Sequence, residues 1–545
     1  MTTDALVEAG PVSYSRRRWR LSAASFRNGA VRWRLIVLAL LCFSVTCGLG
    51  LQLWSTVGLG GFDLGIFDQG IRSYAHLQLP HSPIKNYHHE FPPGFSLLGD
   101  HFSPILALLA PLYWVWDDPR VLILAQSALF AAGVPFIWRI AERCFTHADT
   151  CTKGRAAGLV ALVYALGWPL LVAARNGFHE VAFAVPLTLI LLERGLARSY
   201  GATFLAAVLL CLTKEDLGLV VGFYGAVLLW RHRREKDLRS RLTGSALLVC
   251  GPLLSMLAIG VLVPAMGGPR GYYWSYGQLA DSFGGLAVRA VTDPLALFTA
   301  AFSTPVKAGL MLWLLGTLLF LPLGSATSLC VVPLVAERVL SENPNHWSLI
   351  HHYDAFVWPI LLTASVETAA RLHRVALKKG PAFRRAVVVS GIAATALSTA
   401  IACFFGLVTL FSLHHWTPSA VDRQLVAAAA HVPDGATVEA DNNVVPRLTS
   451  RTQVVILDGH PRGADYVVLQ NSELTFPFTT TAQLQQRQQL LLAHGYRLIW
   501  SQGSTVVLHR TDKRIPVPGT RIPGPHSTPV KDVPATDLGR NLFTG

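Results

Sequence analysis

Residues 35–70 read LIVLALLCFSVTCGLGLQLWSTVGLGGFDLGIFDQG, and they set the class of the whole chain. The part that starts near Leu35 is an apolar run of about twenty residues, which is long enough to cross a bilayer. Arginines at positions 16, 17, 18 and 20 precede it, and the run lacks an A-x-A-like cleavage site. We therefore predict a retained first transmembrane helix that leads into a glycine- and aspartate-containing loop.

Composition extends this interpretation to the full chain. Of 545 residues, 52% are hydrophobic and only 14% are charged, and the mean hydropathy is +0.41, which is outside the range of soluble globular domains. The formal net charge of +14 comes from short basic clusters between apolar runs, which set topology and do not form one binding face. We predict an integral membrane protein with the lipid bilayer, and no nucleic acid, as a partner.

The chain lacks the motifs of several common activities. The eight cysteines have neither the spacing of a zinc site nor that of a disulfide framework. A Walker loop, a dinucleotide fingerprint, an HExxH helix and a GxSxG elbow are all absent. Chemistry driven by a cytosolic nucleotide is therefore unsupported.

Apolar runs of bilayer-spanning length, about 17 to 25 residues, recur along the chain. They begin near Leu35, Val121, Ala156, Val181, Ala202, Leu217, Leu242, Val306, Ser325, Tyr353 and Ala386. The segment 101–116 contains prolines and is short for a span, so we assign it as a juxtamembrane or re-entrant element. The predicted fold is an all-α polytopic bundle of about eleven spans.

The placement of Lys and Arg supports this count. With eleven spans, the basic clusters at 16–34, 139–155, 194–198, 231–241 and 371–385 all share one side, which the positive-inside rule assigns to the cytoplasm. Counting 101–116 as a full span would place the dense cluster 231–241 outside, so we reject that alternative. The protein is predicted to be a multi-pass plasma membrane protein with a cytoplasmic N-terminus.

Four regions follow from this topology. Residues 1–34 form a basic cytoplasmic N-terminus, and residues 35–413 form the transmembrane domain with a first outer loop at 58–118. Residues 414–510 alternate short strand-like segments with a polar-faced helix, which predicts a small extracytoplasmic α/β domain. The Pro- and Gly-rich residues 511–545 are predicted to be a disordered tail.

Two aspartates of the first outer loop are candidate catalytic residues. Asp63 and Asp68 lie in FDLGIFDQ beside Gly61 and Gly65, so the segment can turn tightly and present carboxylates at the membrane boundary. A general base needs such a carboxylate beside a wall that excludes water. The alternative is that Asp63 caps a juxtamembrane helix.

Charges in the next two outer turns are candidate substrate-binding groups. These are Arg175, His179 and Glu180, and then Lys214-Glu215-Asp216, which interrupts an otherwise apolar stretch. Such charges are costly when they face lipid and useful when they face a polar cavity. A buried ion-pair network, for example of Lys214 with Glu180, is the structural alternative.

Histidines complete the candidate set. His351 and His352 open a span and could meet a phosphate oxygen or a divalent ion, although interfacial anchoring explains the neighbouring aromatic residues equally well. Asp100 and His101 have the ligand types for a metal such as Mg²⁺ or Mn²⁺ without a recognisable spacing.

Five motifs in order, FDLGIFDQG, GDHFSPILALLAPLYWVW, GFHEVAFAVPL, LTKEDLGL and HHYDAFVWPILL, resemble those of the bacterial and archaeal membrane family called domain of unknown function 2079. The resemblance covers roughly residues 50 to 510. That family is more distantly similar to the C-type glycosyltransferase superfamily, whose members take a sugar from a polyprenyl-phosphate carrier on the outer face of the membrane.

The resemblance implies a function. In that superfamily an acidic residue just after the first span acts as the base or as a metal-linked acid, and Asp63 has the corresponding place here, with Asp68 as second choice. Leu64 replaces the second acid of the usual pair. The implied partners are a polyprenyl-phosphate-linked sugar donor and a glycan or lipid acceptor. A transporter or lipid flippase, and a non-enzymatic envelope scaffold, are the alternatives.

Overall fold

The computed structural model describes residues 29–235 and 237–530, which form a mostly helical body followed by a small sheet. Most of the predicted basic N-terminus, residues 1–28, and the last part of the predicted tail, residues 531–545, lie outside the described residues.

Within the described ranges, six helices are long and apolar enough to cross a membrane. They are Gly29–Ser55, Arg120–Cys144, Thr150–Arg175, Leu238–Ala265, His352–Lys379 and Pro381–Phe411. Several begin a few residues before the predicted start of the span, because the first turn carries Arg or Lys, which the apolar run excludes. The prediction of a multi-pass helical membrane protein is confirmed at this level.

The remaining predicted spans correspond to shorter or broken helices. These are Val181–Leu196, Tyr200–Cys211, Leu217–Arg231, the pair Pro294–Ala301 and Pro305–Gly316 bent by 85°, and the short helix Val332–Leu340. An α-helix rises about 1.5 Å per residue and the bilayer core is about 30 Å thick, so these segments are short for independent spans. The count of eleven stays a prediction.

The segment predicted to lie beside the membrane forms two short helices. A 3₁₀ turn at Pro104–Leu109 leads into an α-helix at Ala110–Val115. Leu108, Trp114 and Val115 are exposed on the surface of the protein. This placement matches a short interfacial element.

The basic loops lie together at one end of the helical body. Arg143 pairs with Glu193 at 2.8 Å, and Arg198 pairs with Glu235 at 2.7 Å. Arg231 pairs with Glu367. These contacts join four helices and two of the loops that connect helices, so the cationic ends of the helices share one pole of the bundle.

The sheet domain follows the last long helix. Its strands are β1 Thr437–Ala440, β2 Gln453–Ile456, β3 Tyr466–Gln470, β4 Tyr496–Gln502 and β5 Thr505–Arg510. The strand order is β2-β1-β3-β5-β4, with β1 parallel to β2 and β3, and with β5 antiparallel to β3 and β4. All five strands lie within residues 414–510, where short strand-like segments are predicted.

One helix covers each face of the sheet. Successive side chains of β3 point to opposite faces, so each face carries apolar residues that a helix can cover. Val468 packs with the helix Ala420–Ala430, which the sequence analysis missed. Val467 packs with the predicted helix, observed at Thr481–Ala493. The domain is therefore an α/β sandwich with an apolar core on each face.

Part of the predicted tail, residues 511–530, lies within the described residues and contacts the first loop. Beyond β5, Arg521 pairs with Glu90 of the first loop at 3.1 Å. The backbone N–H of Val530 donates to the carbonyl of His89 at 2.8 Å, and Tyr272 donates to the Val530 carbonyl at 2.9 Å. Residues 511–530 are thus docked on the domain and on the first loop, and the high Pro and Gly content of the tail did not signal these contacts.

Glycines allow the helix Leu217–Arg231 to contact Leu238–Leu257 backbone to backbone. A Cβ added at Gly251 would lie 2.8 Å from the backbone nitrogen of Gly222, whereas a Cβ at Gly201 meets nothing within 4 Å. We expect Gly251→Ala to lower stability by about 1–3 kcal/mol through overpacking. Gly201→Ala should leave stability unchanged or raise it by up to about 1 kcal/mol. Thermal unfolding in detergent measures both, and equal midpoints for the two variants would contradict this packing.

Candidate functional site

Asp63 lies in a single π-helical turn, Gly61–Gly65, directly after the first long helix. Neighbouring side chains leave little space for a Cβ at either terminal glycine. A Cβ at Gly61 would lie 2.6 Å from Val445 Cβ, and a Cβ at Gly65 would lie 2.8 Å from Ile84 Cδ1. Neighbouring side chains thus pack against the turn at Gly61 and Gly65, whereas the Asp63 side chain is 45% exposed.

His179 is the partner of this carboxylate. Its Nε2 lies 3.4 Å from Asp63 Oδ1, although the two residues are far apart in the sequence and His179 is itself buried. The other ring nitrogen, Nδ1, is buried and has no hydrogen-bond partner among the described residues. A half-exposed carboxylate thus faces solvent on one side and a buried imidazole on the other.

A second imidazole supports the first. The ring of His352 stacks on that of His179 with centroids 3.5 Å apart and 24° between the planes, and Phe67 meets His179 edge-on at 5.5 Å. Burial lowers the pKa of the adjacent His351, and the charge of Asp63 only partly opposes this effect. The turn at 176–180 and the start of the helix at 352 are therefore joined to the Asp63 loop.

Lys214 is the centre of a second, acidic group of residues. Its Nζ lies 3.2 Å from Asp216 Oδ2, and both side chains are nearly buried. Burial lowers the pKa of Lys214, but Asp216, Glu337, Glu215 and Glu180 together raise it well above its ordinary value. The ion-pair partner of Lys214 is therefore Asp216. Glu180, its partner in the predicted structural alternative, acts on Lys214 through its charge, together with the other acids.

Glu215 faces the first loop. Its Oε1 lies 2.8 Å from His101 Nδ1, and its Oε2 accepts the Phe102 backbone N–H at 3.0 Å. Burial alone would lower the pKa of His101, but the Glu215 carboxylate raises it to about 9. Burial would likewise raise the pKa of Glu215, and the His101 charge lowers it to about 2. The pair is therefore ionic at neutral pH and ties the first loop to the 214–216 turn.

The two candidate metal ligands do not form a metal site. Asp100 pairs with Lys85 at 3.1 Å, and His101 is engaged by Glu215. Across 29–235 and 237–530, no group of three or more His, Cys, Asp or Glu side chains is arranged to hold a metal ion. The arrangement does not fit the expected Mg²⁺ or Mn²⁺, and a role for either ion stays a prediction without a site.

The second candidate base lies in a different environment from the first. Asp68 is fully buried, 2.9 Å from Arg72 Nη2, and it accepts the Tyr113 hydroxyl at 2.8 Å. Burial raises the pKa of Asp68, and Arg72 opposes that shift. These contacts join two parts of the first loop, the helix Ile66–Ala75 and the helix Ala110–Val115.

Arg175 and Glu180 flank the His179 turn. Arg175 Nη1 donates to Thr409 Oγ1 in the last long helix at 3.0 Å. Glu180 is buried at the start of the helix Val181–Leu196 and contributes to the field at Lys214. The predicted residues of the first loop, the 175–180 turn, the 214–216 turn and the 351–352 segment therefore lie at one pole, where Asp68 faces Arg72 and Tyr113 and not His179.

Sequence analysis missed Glu337 and Arg338. The Glu337 carboxylate interacts electrostatically with Lys214 and Asp216. Arg338 donates to the carbonyls of His346 at 2.8 Å and Ser348 at 3.1 Å, and pairs with Asp354, so it fixes the loop that carries His351. The available signal was a pair of adjacent charges inside the apolar run that begins near Ser325.

The His101–Glu215 pair predicts a stability profile. The folded pKa of His101 lies above its ordinary value of 6.5, so the contribution is complete below that pH and is lost as pH rises toward 9. The folded pKa of Glu215 lies below 4.5, so the contribution is lost as pH falls from 4.5 toward 2. The pair stabilises most between pH 4.5 and 6.5.

We expect the gap in thermal midpoint between wild type and His101→Gln to be largest between pH 4.5 and 6.5 and to narrow toward pH 9. The thermal midpoints of both proteins are measured in detergent from pH 4.5 to pH 9. A gap that is independent of pH would contradict the assigned ion pair.

Comparisons with known proteins give the family and two similar folds. ArnT from Cupriavidus metallidurans bound to undecaprenyl phosphate aligns at 15% identity with a TM-score of 0.46 over 87% of this chain and 97% of that one. The Archaeoglobus fulgidus oligosaccharyltransferase tethered to an acceptor peptide aligns at 13% identity with a TM-score of 0.44 over 93% and 76%. No curated protein matches in sequence. The profile of the family described as Predicted membrane protein (DUF2079) matches residues 54–501, and the chain belongs to that family.

Proposed function

We propose that this protein is a membrane glycosyltransferase that moves a sugar from a polyprenyl-phosphate-linked donor to a glycan or lipid acceptor at the extracytoplasmic face. The observation that carries the proposal is the half-exposed Asp63 carboxylate, held 3.4 Å from the buried His179. A general base must be accessible to its substrate on one side and shielded from water on the other.

Asp63 would act as the base. Its carboxylate takes the proton of the acceptor hydroxyl while the acceptor oxygen forms a bond to the anomeric carbon of the sugar. The bond from that carbon to the carrier phosphate breaks, and the phosphate leaves with the electron pair. His179, fixed by its stack on His352, would hold the carboxylate in position.

The leaving phosphate needs positive charge, and the site supplies it from Lys214 and Arg175. The acidic residues around Lys214 keep that amine protonated, and a guanidinium does not lose its proton in proteins. His351 would serve as a neutral hydrogen-bonding group, since burial lowers its pKa. Preorganised charge of this kind stabilises a departing anion.

The proposed topology is the predicted one. The eleven apolar segments would cross the membrane, the basic pole would face the cytoplasm, and the Asp63 pole with the sheet domain would lie outside. The cationic contacts of Arg143, Arg198 and Arg231 at the opposite pole support this orientation.

Replacing Asp63 tests the proposal. Asp63→Asn keeps the size of the side chain and removes the base, so we expect the transferred glycan to fall by about 10²- to 10⁴-fold. The thermal midpoint should change little, because the Asp63 side chain is 45% exposed. Mass spectrometry of envelope glycans and glycolipids, in cells that contain either form or neither, measures the outcome.

Asp281→Asn is the matched control, because Asp281 is an exposed carboxylate in an outer loop. That variant should keep full activity. A glycan inventory that is the same with and without the protein, alongside altered uptake of a small solute, would contradict glycosyl transfer and support a transporter. Normal glycan in Asp63→Asn cells would remove Asp63 from the role of base.

A further inference from the structure

A polar cavity away from Asp63 lies where the first long helix, the second long helix and the sheet domain meet. Its volume is about 210 Å³. Its walls are Trp54, Asp118, Pro119, Arg120, Pro446, Arg447 and Ser450. The proposed transfer reaction assigns no role to this cavity.

Two guanidinium groups face one indole ring in the cavity. The Cζ atoms of Arg120 and Arg447 lie 5.5 Å and 4.6 Å from the centroid of Trp54. Arg447 Nη2 also donates to the Trp54 backbone carbonyl at 2.6 Å. The arginines belong to different parts of the fold, so the cavity brings together like charges that repel each other.

Only one of these charges is neutralised by an ion pair. Asp118 accepts from Arg120 Nε at 2.8 Å and from Nη2 at 2.7 Å. Arg447 has no ion pair among the described residues, and no acceptor for its Nε or Nη1 occurs there. Burial and then the charge of Arg120 lower the pKa of Arg447. A single anion bound here would meet unused donors and offset the repulsion.

The cavity lies at the ends of two long apolar helices, among tryptophans. Trp54 is near the end of the first long helix, and Arg120 also stacks on Trp116 at 5.0 Å. Trp114, in the interfacial helix, is 66% exposed. Tryptophans at the ends of spans mark the boundary between hydrocarbon and water.

We propose that this cavity binds the phosphate group of an anionic membrane lipid through Arg447 and Arg120, with the Ser450 hydroxyl as an additional donor. Ser450 is exposed on the cavity wall and makes no hydrogen bond to the described residues through its side chain. The lipid would join the sheet domain to the membrane beside the first span. The inference is independent of glycosyl transfer.

Native mass spectrometry of the full chain in detergent tests the site, with phosphatidylglycerol as the probe. Ser450→Glu places a carboxylate in the cavity and keeps the Arg447–Trp54 contact, whereas Ser450→Gln is its neutral match. Arg447→Gln removes the cation, and Arg497→Gln removes an exposed arginine elsewhere in the same domain.

We expect Ser450→Glu and Arg447→Gln to weaken phosphatidylglycerol binding by about tenfold or more, as expected for loss of a charge-assisted contact. The two control variants should stay within roughly twofold of wild type. Zwitterionic phosphatidylcholine should bind more weakly than phosphatidylglycerol.

Two results would overturn the proposal. Equal binding by Ser450→Glu and Ser450→Gln would show that the lipid does not use this cavity. Displacement of phosphatidylglycerol by inorganic phosphate at equal concentration would show that the cavity binds a soluble phosphate. The proposal that the bound phosphate group belongs to a lipid would then be wrong.

Discussion

One residue of the sheet domain holds the loop on which the candidate site depends. The backbone N–H of Gly61 donates to the Asn442 carbonyl at 2.8 Å, and the N–H of Phe62 donates to Asn442 Oδ1 at 3.0 Å. These bonds satisfy two donors at the start of the turn that carries Asp63, where a buried donor without a partner would cost about 1–3 kcal/mol. Asn442 thereby fixes the position of the Asp63 carboxylate relative to His179.

This contact links the two parts of the fold. The sheet domain can bind the loop only if it lies on the same side of the membrane as the end of the first helix, so the domain and Asp63 share one pole. Gln69 donates to the Val454 carbonyl at 3.0 Å, and His88 lies 3.3 Å from Asp458. The sheet domain therefore contacts the first loop at three separate places, through Asn442, Val454 and Asp458. We infer that it positions the loop.

The sequence predicted the broad arrangement because two signals extend along the whole chain, namely the clusters of Lys and Arg and the acids and histidines between them. Clusters of Lys and Arg alternate with acids and histidines along the chain, and this alternation places His179, Glu215 and His352 at the Asp63 pole. The pairing of individual charges depends on distances that spacing does not encode. Lys214 therefore contacts Asp216 instead of Glu180, and Asp68 pairs with Arg72. Short helices such as Tyr200–Cys211 are equally hard to count as spans, because neighbouring helices, and not the apolar run alone, determine their length.

Hydrogen–deuterium exchange of the peptide that contains residues 58–70 tests the central claim most directly. We compare wild type with Asn442→Ala. We expect slow exchange at Gly61 and Phe62 in wild type. In the variant, which loses the Asn442 Oδ1 acceptor but keeps the backbone carbonyl, we expect markedly faster exchange at Phe62, loss of glycan transfer and an unchanged exchange pattern in the helical body. Equal protection of the Phe62 amide in both proteins would contradict the claim that the Asn442 side chain of the sheet domain holds the Asp63 loop.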